Sequence, residues 1–267
     1  MRNNEDNFAP PPPQQQQSYS RPTDFVKLPS KGKFYPPGHP LYNKEEVEVS
    51  FMTTKEEDIL LSPSYNKKGN VFDKLIESLI VGNVKAESLL IGDKNAILLN
   101  ARKNAYGSDY RVSLICQHCY ETQEVSIDLD EVEDKNIDLK GVSITSNGTF
   151  ELQLPRTKAK VEIKNLTSLD ETELLKKAEQ RAKHNLPETP ATDRLRQMIV
   201  AVNDNADPME INNFVSGLPI VDSRYIKKKY GEVCPDVDFT YDYECNSCSG
   251  RNEGGVPILG TFFWPDD

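Results

Sequence analysis

The chain has 267 residues, a formal net charge of −10 and a hydrophobic content of 37%. This length allows one large domain or two modest ones, and the negative charge opposes binding to the phosphate backbone of nucleic acids. No apolar run approaches the roughly 20 residues that cross a bilayer, and the first residues lack the apolar stretch of a secretory signal. We therefore expect synthesis in a reducing cytoplasm, where the five cysteines favour metal ligands or free thiols over disulfides.

The N-terminal stretch differs in composition from the rest of the chain. Residues 1–22 contain four consecutive prolines followed by four glutamines. Such a segment buries too little apolar surface to offset its ordering entropy, so we predict a disordered Pro/Gln-rich tail. We divide the remainder into an N-terminal lobe, residues 23–130, and a C-terminal lobe, residues 131–267. We expect the two lobes to fold as one cooperative unit.

The N-terminal lobe is predicted to combine extended arms, short strands and three short helices. Prolines and glycines between residues 25 and 40 favour arms and turns, and residues 47–51 alternate as a strand. Side chains that can cap the starts of the three helices are those of Thr53 or Thr54, Asn70 and Asp93. Two further alternating strands, residues 110–114 and 122–129, flank the first cysteine pair.

The C-terminal lobe is predicted to contain a pair of strands and a second group of helices. Residues 150–154 and 161–163 alternate and should pair. The residues predicted to begin helices are Ser168, Thr192, Asp207 and Asp222. The helix from Thr192 is expected to continue through Val202, because its apolar residues keep helical spacing. A final alternating strand, residues 237–243, leads into the second cysteine pair.

Two Cys-x-x-Cys motifs form the most specific chemical pattern. Cys116 and Cys119 make the first, and Cys245 and Cys248 make the second. Two such turns supply the tetrahedral thiolate set that structural zinc prefers, and four thiolates leave no open position for catalysis. The pairs are separated by 125 residues, so the ion would join distant parts of the chain. The predicted fold is α+β, with two helical groups around short antiparallel strands joined by a bipartite zinc-ribbon-like site.

Alternative roles for these residues stay open at this stage. The cysteines could form two unrelated free pairs or a redox pair, although a thioredoxin-like motif should open a helix and neither pair does. His118 could replace a cysteine ligand, but we expect it to be exposed to solvent. Cys234 is interpreted as a half-buried structural thiol, with a fifth ligand or a reactive thiol as the alternative.

Other motifs give no indication of catalysis. The chain lacks a Walker A loop and a GxGxxG loop, and its three histidines do not suggest a Ser-His-Asp arrangement. We predict no catalytic residues. Lys227–Lys229 could complement a helix dipole or contact an acidic partner. The aromatic residues 262–264 could pack under the ribbon or dock another subunit.

Three segments resemble a known family: TTKEEDIL (53–60), GDKNAILLNARKNAYG (92–107) and FFWPD (262–266). Together with the pattern of residues 25–267, they are similar to the baseplate hub proteins of T-even-type contractile-tailed bacteriophages. The resemblance implies a structural component or assembly factor, with other hub, tail tube or tape-measure proteins as partners. It also implies assembly in the host cytoplasm and a final place in the virion tail baseplate.

Two other classes of function remain as alternatives. A zinc-ribbon nucleic-acid-binding or regulatory protein is suggested by the cysteine pairs, although the net charge of −10 opposes it. A thiol oxidoreductase is the weaker of the two.

Overall fold

The computed structural model describes residues 21–256, 258 and 260–263. Most of the predicted tail, residues 1–20, therefore lies outside the described residues. In the described part the fold is α+β, as predicted, and its helices are α1 Thr54–Leu61, α2 Pro63–Lys68, α3 Val71–Leu79, α4 Ile91–Tyr106, α5 Ser168–Lys183, α6 Pro190–Met198, α7 Pro208–Ser216 and α8 Ile220–Val233. None of these helices has the length and apolar character needed to cross a membrane.

The strands are short and pair only in antiparallel fashion. Their bounds are β1 Thr23–Lys27, β2 Glu46–Ser50, β3 Asp109–Ile115, β4 Thr122–Asp128, β5 Ser143–Ile144, β6 Phe150–Gln153, β7 Lys160–Ile163, β8 Ile199–Val202, β9 Thr240–Glu244 and β10 Arg251–Gly255. Strands β1 and β2 form one pair, β3–β4 and β9–β10 form two hairpins, and the remaining strands form a sheet in the order β5-β6-β7-β8. Each of the two hairpins carries a cysteine pair at its turn.

Local sequence signals correctly place several helix ends. Thr53 begins α1 with a capping box, in which its N–H and hydroxyl donate to the Glu56 carboxylate over 2.9 and 2.7 Å. Asp207 begins α7 by accepting a hydrogen bond of 3.0 Å from the Met209 N–H. Gly107 ends α4 in the left-handed region, with φ of 82°. These signals involve partners within four residues, so the sequence alone reveals them.

The predicted cap at Asp93 is wrong. Helix α4 begins at Ile91, and the Asp93 side chain is fully buried two residues further on. Its carboxylate accepts hydrogen bonds from the Ser30 N–H at 3.0 Å, the Ser30 hydroxyl at 2.6 Å and the Tyr35 hydroxyl at 2.7 Å. Burial raises the pKa of Asp93. The residue therefore anchors the N-terminal arm to α4 instead of capping the helix.

Asp222 behaves in the same way in the second half of the chain. Helix α8 begins at Ile220, so the predicted cap at Asp222 is wrong. The buried Asp222 carboxylate accepts hydrogen bonds from the N–H groups of Arg156 and Thr157, at 2.8 and 2.9 Å. It therefore fixes the turn between β6 and β7.

Two smaller corrections concern α5 and α6. The capping box of α5 uses Thr167 and Asp170, one residue before the predicted Ser168. Helix α6 begins at Pro190 and ends at Met198, so the predicted start at Thr192 and continuation to Val202 are wrong. Residues 199–202 instead form β8 against β7. An apolar run of four residues fits either a helix or a strand, and here the pairing with β7 decides between them.

The acidic segment 130–140 runs beside residues 232–238. Backbone hydrogen bonds of 2.8, 2.8 and 2.9 Å join Lys135 N to Asp236 O, Asp238 N to Glu133 O, and Asp138 N to Glu232 O. This pairing places the chain that leaves β4 beside the chain that enters β9. The two hairpins that carry the cysteine pairs therefore lie next to each other.

The C-terminal aromatic residues pack against the first half of the chain. Phe262 and Phe263 are fully buried, and their rings lie 5.2 Å from Tyr110 and 5.8 Å from Phe72. Trp264 lies outside the described residues. These contacts involve α3, the short 3-10 helix of residues 260–263 and the base of β3, rather than the ribbon turns.

A buried arginine holds this C-terminal segment. The Arg102 side chain is fully buried, and its guanidinium donates to the carbonyl oxygens of Phe262 at 2.8 Å and Gly107 at 2.9 Å. Its terminal carbon also lies 5.2 Å from the Tyr106 ring centroid. Carbonyl oxygens and aromatic faces thus replace water around this cation.

The contact between the halves gives a testable prediction. A Cβ added to Gly92 would overlap the carbonyl oxygen of Pro235 and lie 2.6 Å from the Asp236 Cα. We expect Gly92→Ala to lower the free energy of unfolding by at least about 2 kcal/mol, because two backbones must separate. Gly231, within α8, has no atom within 4 Å of its added Cβ, so Gly231→Ala should raise the free energy by about 0.5–1 kcal/mol. Urea denaturation of both variants tests this, and equal effects would contradict it.

Candidate metal centre

The turns of β3–β4 and β9–β10 bring four sulfur atoms together. All four ligand atoms of Cys116, Cys119, Cys245 and Cys248 lie within 4.8 Å of one another. Cys116 Sγ is 3.7 Å from Cys248 Sγ, and Cys119 Sγ is 3.6 Å from Cys245 Sγ. A tetrahedral zinc with bonds of about 2.3 Å requires sulfur separations of roughly 3.8 Å. The spacing therefore fits one metal ion and is too long for disulfide bonds.

The two turns have the same backbone geometry. The N–H of Tyr120 donates to the carbonyl of Cys116 over 3.0 Å, and the N–H of Ser249 donates to the carbonyl of Cys245 over 2.8 Å. Tyr120 and Ser249 each follow the second cysteine of their pair, and both have positive φ, 63° and 55°. The geometry of each pair is therefore set by hydrogen bonds within its own hairpin.

Two side-chain amides link the hairpins, because each accepts a hydrogen bond from the other hairpin. The Gln117 N–H donates to Asn252 Oδ1 at 2.8 Å, and the Asn246 N–H donates to Gln123 Oε1 at 2.8 Å. In each case the donor directly follows the first cysteine of one pair, and the acceptor lies seven residues after the first cysteine of the other. This approximate two-fold relation positions the hairpins relative to each other. The sequence reasoning missed these amides, although their equal spacing was the signal that could have found them.

Asn252 also contacts the sulfur cluster directly. Its side chain is 2% exposed, and its amide nitrogen lies 3.6 Å from Cys116 Sγ. Hydrogen bonds from the backbone N–H groups of Cys119 and His118, and from the side-chain amide of Asn252, lower the pKa of Cys116 to about 6. A thiol with a lowered pKa is more readily converted to the thiolate that binds metal.

His118 lies beside the site without facing the sulfurs. Its ring is exposed, as expected, and its Nε2 donates to the Arg251 carbonyl at 2.8 Å. The ring packs so closely on Gly250 that an added Cβ there would lie 2.5 Å from it. A larger residue at Gly250 would therefore displace the imidazole from the second turn.

Cys234 lies outside the four-sulfur cluster. It is half-buried at the end of α8, and burial raises the pKa of its thiol to about 11. A thiol with this pKa stays protonated near neutral pH, which agrees with a structural role.

The shared cluster predicts how cysteine variants behave. Cys245→Ser removes one of four sulfurs, so we expect metal content to fall from about one ion per chain and the free energy of unfolding to drop by more than about 4 kcal/mol. Both halves should lose structure in one transition, as followed by hydrogen exchange with and without chelator. Cys234→Ser is the matched control and should keep the metal. Retained protection of either half in Cys245→Ser would contradict the shared site.

The two side-chain amides that link the hairpins are predicted to differ in their effect on metal affinity. Asn252→Ala should weaken zinc binding by about 10-fold or more, because a group that orients and hydrogen-bonds a ligand is lost. Gln123→Ala should have a smaller effect, since Gln123 has no sulfur contact among the described residues. Competition with a chromogenic chelator measures both affinities, and equal values for the two variants would contradict the assigned role of Asn252.

The comparisons with known proteins give one family. Residues 21–264 match the family model described as T4 bacteriophage base plate protein. No curated protein and no solved structure matches the chain. The family match covers both cysteine hairpins, both helical groups and the C-terminal aromatic segment. The chain therefore belongs to the T4 bacteriophage base plate protein family.

Proposed function

We propose that the chain is a non-enzymatic protein of the baseplate hub, acting as a structural component or an assembly factor. The observation that carries this proposal is the family match over residues 21–264. The resemblance of the segments 53–60 and 92–107 to hub proteins supports the hub over other parts of the baseplate. Neighbouring hub, tail tube and tape-measure proteins are the proposed partners.

The proposal assigns a structural zinc ion to Cys116, Cys119, Cys245 and Cys248. The sulfur separations of 3.6 and 3.7 Å support a tetrahedral site, and four cysteine ligands are typical of structural zinc. Zinc would supply a rigid cross-link between the hairpins. Because four thiolates fill its coordination sphere, the same site offers no position for a substrate or an activated water.

The cross-link would unite the proposed lobes, residues 23–130 and 131–267. One hairpin lies in each lobe and supplies two of the four sulfurs, and Arg102 of the first lobe donates to the Phe262 carbonyl of the second at 2.8 Å. We propose that the lobes unfold together for this reason. A rigid, cross-linked unit suits a protein that presents fixed surfaces to its neighbours.

The surface of the ribbon opposes the nucleic-acid alternative. Four glutamates on or beside the hairpin strands are exposed: Glu121, Glu124, Glu244 and Glu253. Zinc bound by four thiolates would add two further negative charges. Phosphate backbones are repelled by such a surface.

Cryo-electron microscopy and cross-linking mass spectrometry of purified phage tails test the hub assignment. We expect density for the chain at the centre of the baseplate, with cross-links to tail tube or tape-measure proteins. An assembly factor would instead be absent from mature tails and present, with the same cross-links, in baseplate intermediates. Cross-links confined to peripheral baseplate proteins would refute the hub assignment and leave the family membership intact.

A further inference from the structure

Helix α8 presents an exposed stripe that is apolar at one end and basic at the other. We define the basic stripe as Ile220, Val221, Arg224, Lys227 and Lys228, whose spacing of three, four and seven residues places them on one helix face. Ile220 and Val221 are 75% and 56% exposed. The opposite face carries the residues that are buried in the core. Two large aliphatic side chains beside three cations form an unusual exposed patch on a chain of net charge −10.

The positively charged side chains of the basic stripe have few acidic partners among the described residues. Arg224 and Lys227 have no hydrogen-bond or ion-pair partner in the described part of the chain, and Lys228 lies 3.7 Å from Glu232 with its side chain 76% exposed. Helix α8 continues to Val233, so Lys227 and Lys228 precede its last turn, where the dipole acts. The dipole explanation is thereby weakened, and contact with an acidic partner is favoured.

The first cysteine turn carries a complementary patch. We define the acidic tip as Ile115, Tyr120, Glu121 and Glu124, all of which are exposed. Ile115 and Tyr120 are 63% and 78% exposed. Ile115 lies opposite Thr122 in the β3–β4 pairing, so Ile115 and Glu124 share one face of the hairpin.

The two patches match in spacing as well as in charge. From Ile220 to Arg224 the helix rises about 6 Å. From Thr122, the partner of Ile115, to Glu124 the strand rises about 7 Å. On each patch, a backbone step of nearly the same length therefore separates an aliphatic position from a charged residue, Arg224 on the stripe and Glu124 on the tip, and the two charges have opposite signs.

We propose that the basic stripe of one copy binds the acidic tip of a second copy. Two different surfaces meet in this contact, so it is heterologous. A dimer formed in this way keeps a free acidic tip on one copy and a free basic stripe on the other. Repetition of the contact produces a closed ring or a filament, depending on the rotation between copies. This inference goes beyond the proposed function and does not depend on it.

Sedimentation velocity of the full chain tests this association. We expect species larger than the monomer at about 0.05 M NaCl and at least a ten-fold weaker association at about 0.5 M NaCl, because salt screens exposed charges. A stripe variant, Lys227→Glu with Lys228→Glu, should be monomeric. A tip variant, Tyr120→Asn, should also be monomeric, and asparagine tolerates the positive φ of 63° at this position.

Mixing the two variants distinguishes a head-to-tail contact from a symmetric one. An equimolar mixture should form a heterodimer and nothing larger, because only the tip of the stripe variant and the stripe of the tip variant remain intact. Lys176→Glu with Lys183→Glu makes the same charge change at exposed positions on α5 and should associate like the parent chain. Far- and near-ultraviolet circular dichroism confirms that each variant is folded.

Several outcomes would overturn the proposal. A parent chain that stays monomeric at low salt would do so, as would a tip variant that associates like the parent or a mixture that stays monomeric. Retention of a short DNA duplex by a monomeric parent, lost in the stripe variant, would assign the stripe to nucleic acid instead. Equal loss of association in the α5 control would show that association depends on net charge and not on the basic stripe.

Discussion

Two cysteine pairs that are separated by 125 residues meet at four sulfur atoms, and the rest of the fold has to allow their hairpins to come together. The backbone pairing of residues 133–138 with 232–238 satisfies the requirement, because it aligns the exit from one hairpin with the entry to the other. Each doubling of loop length costs only about 0.6 kcal/mol of closure entropy. A whole group of helices and a four-stranded sheet can therefore lie between the cysteine pairs at modest cost.

The parts of the fold that the sequence predicted correctly depend on neighbours along the chain. The capping box at Thr53, the proline that follows Asp207 and the stop at Gly107 all involve residues within a few positions. Both cysteine turns also follow alternating strands, so their hairpins were predictable. By contrast, Asp93 and Asp222 are of a residue type that commonly caps helices, but their carboxylates accept hydrogen bonds from groups about 60 residues away. Sequence spacing contains no signal for such partners.

The candidate site shows the same division between local and distant information. The four cysteines were identified from their spacing, and the structure brings their sulfurs within 4.8 Å of one another. Asn252 and Gln123 were missed, because only their equal spacing after the first cysteine of each pair marks them in the sequence and each has its partner on the other hairpin. The approximate two-fold relation between the turns gives these amides equivalent positions.

Arg102 has a consequence for the order in which the chain can fold. Its buried guanidinium donates to a carbonyl oxygen 160 residues downstream, at Phe262. Phe262 and Phe263 also fill space beside α3 and β3. While the ribosome is still translating the second half, the first half therefore lacks both the acceptor for this cation and part of its apolar packing. The core of the N-terminal half can therefore be completed only once residues 262 and 263 have been synthesised and have left the ribosome.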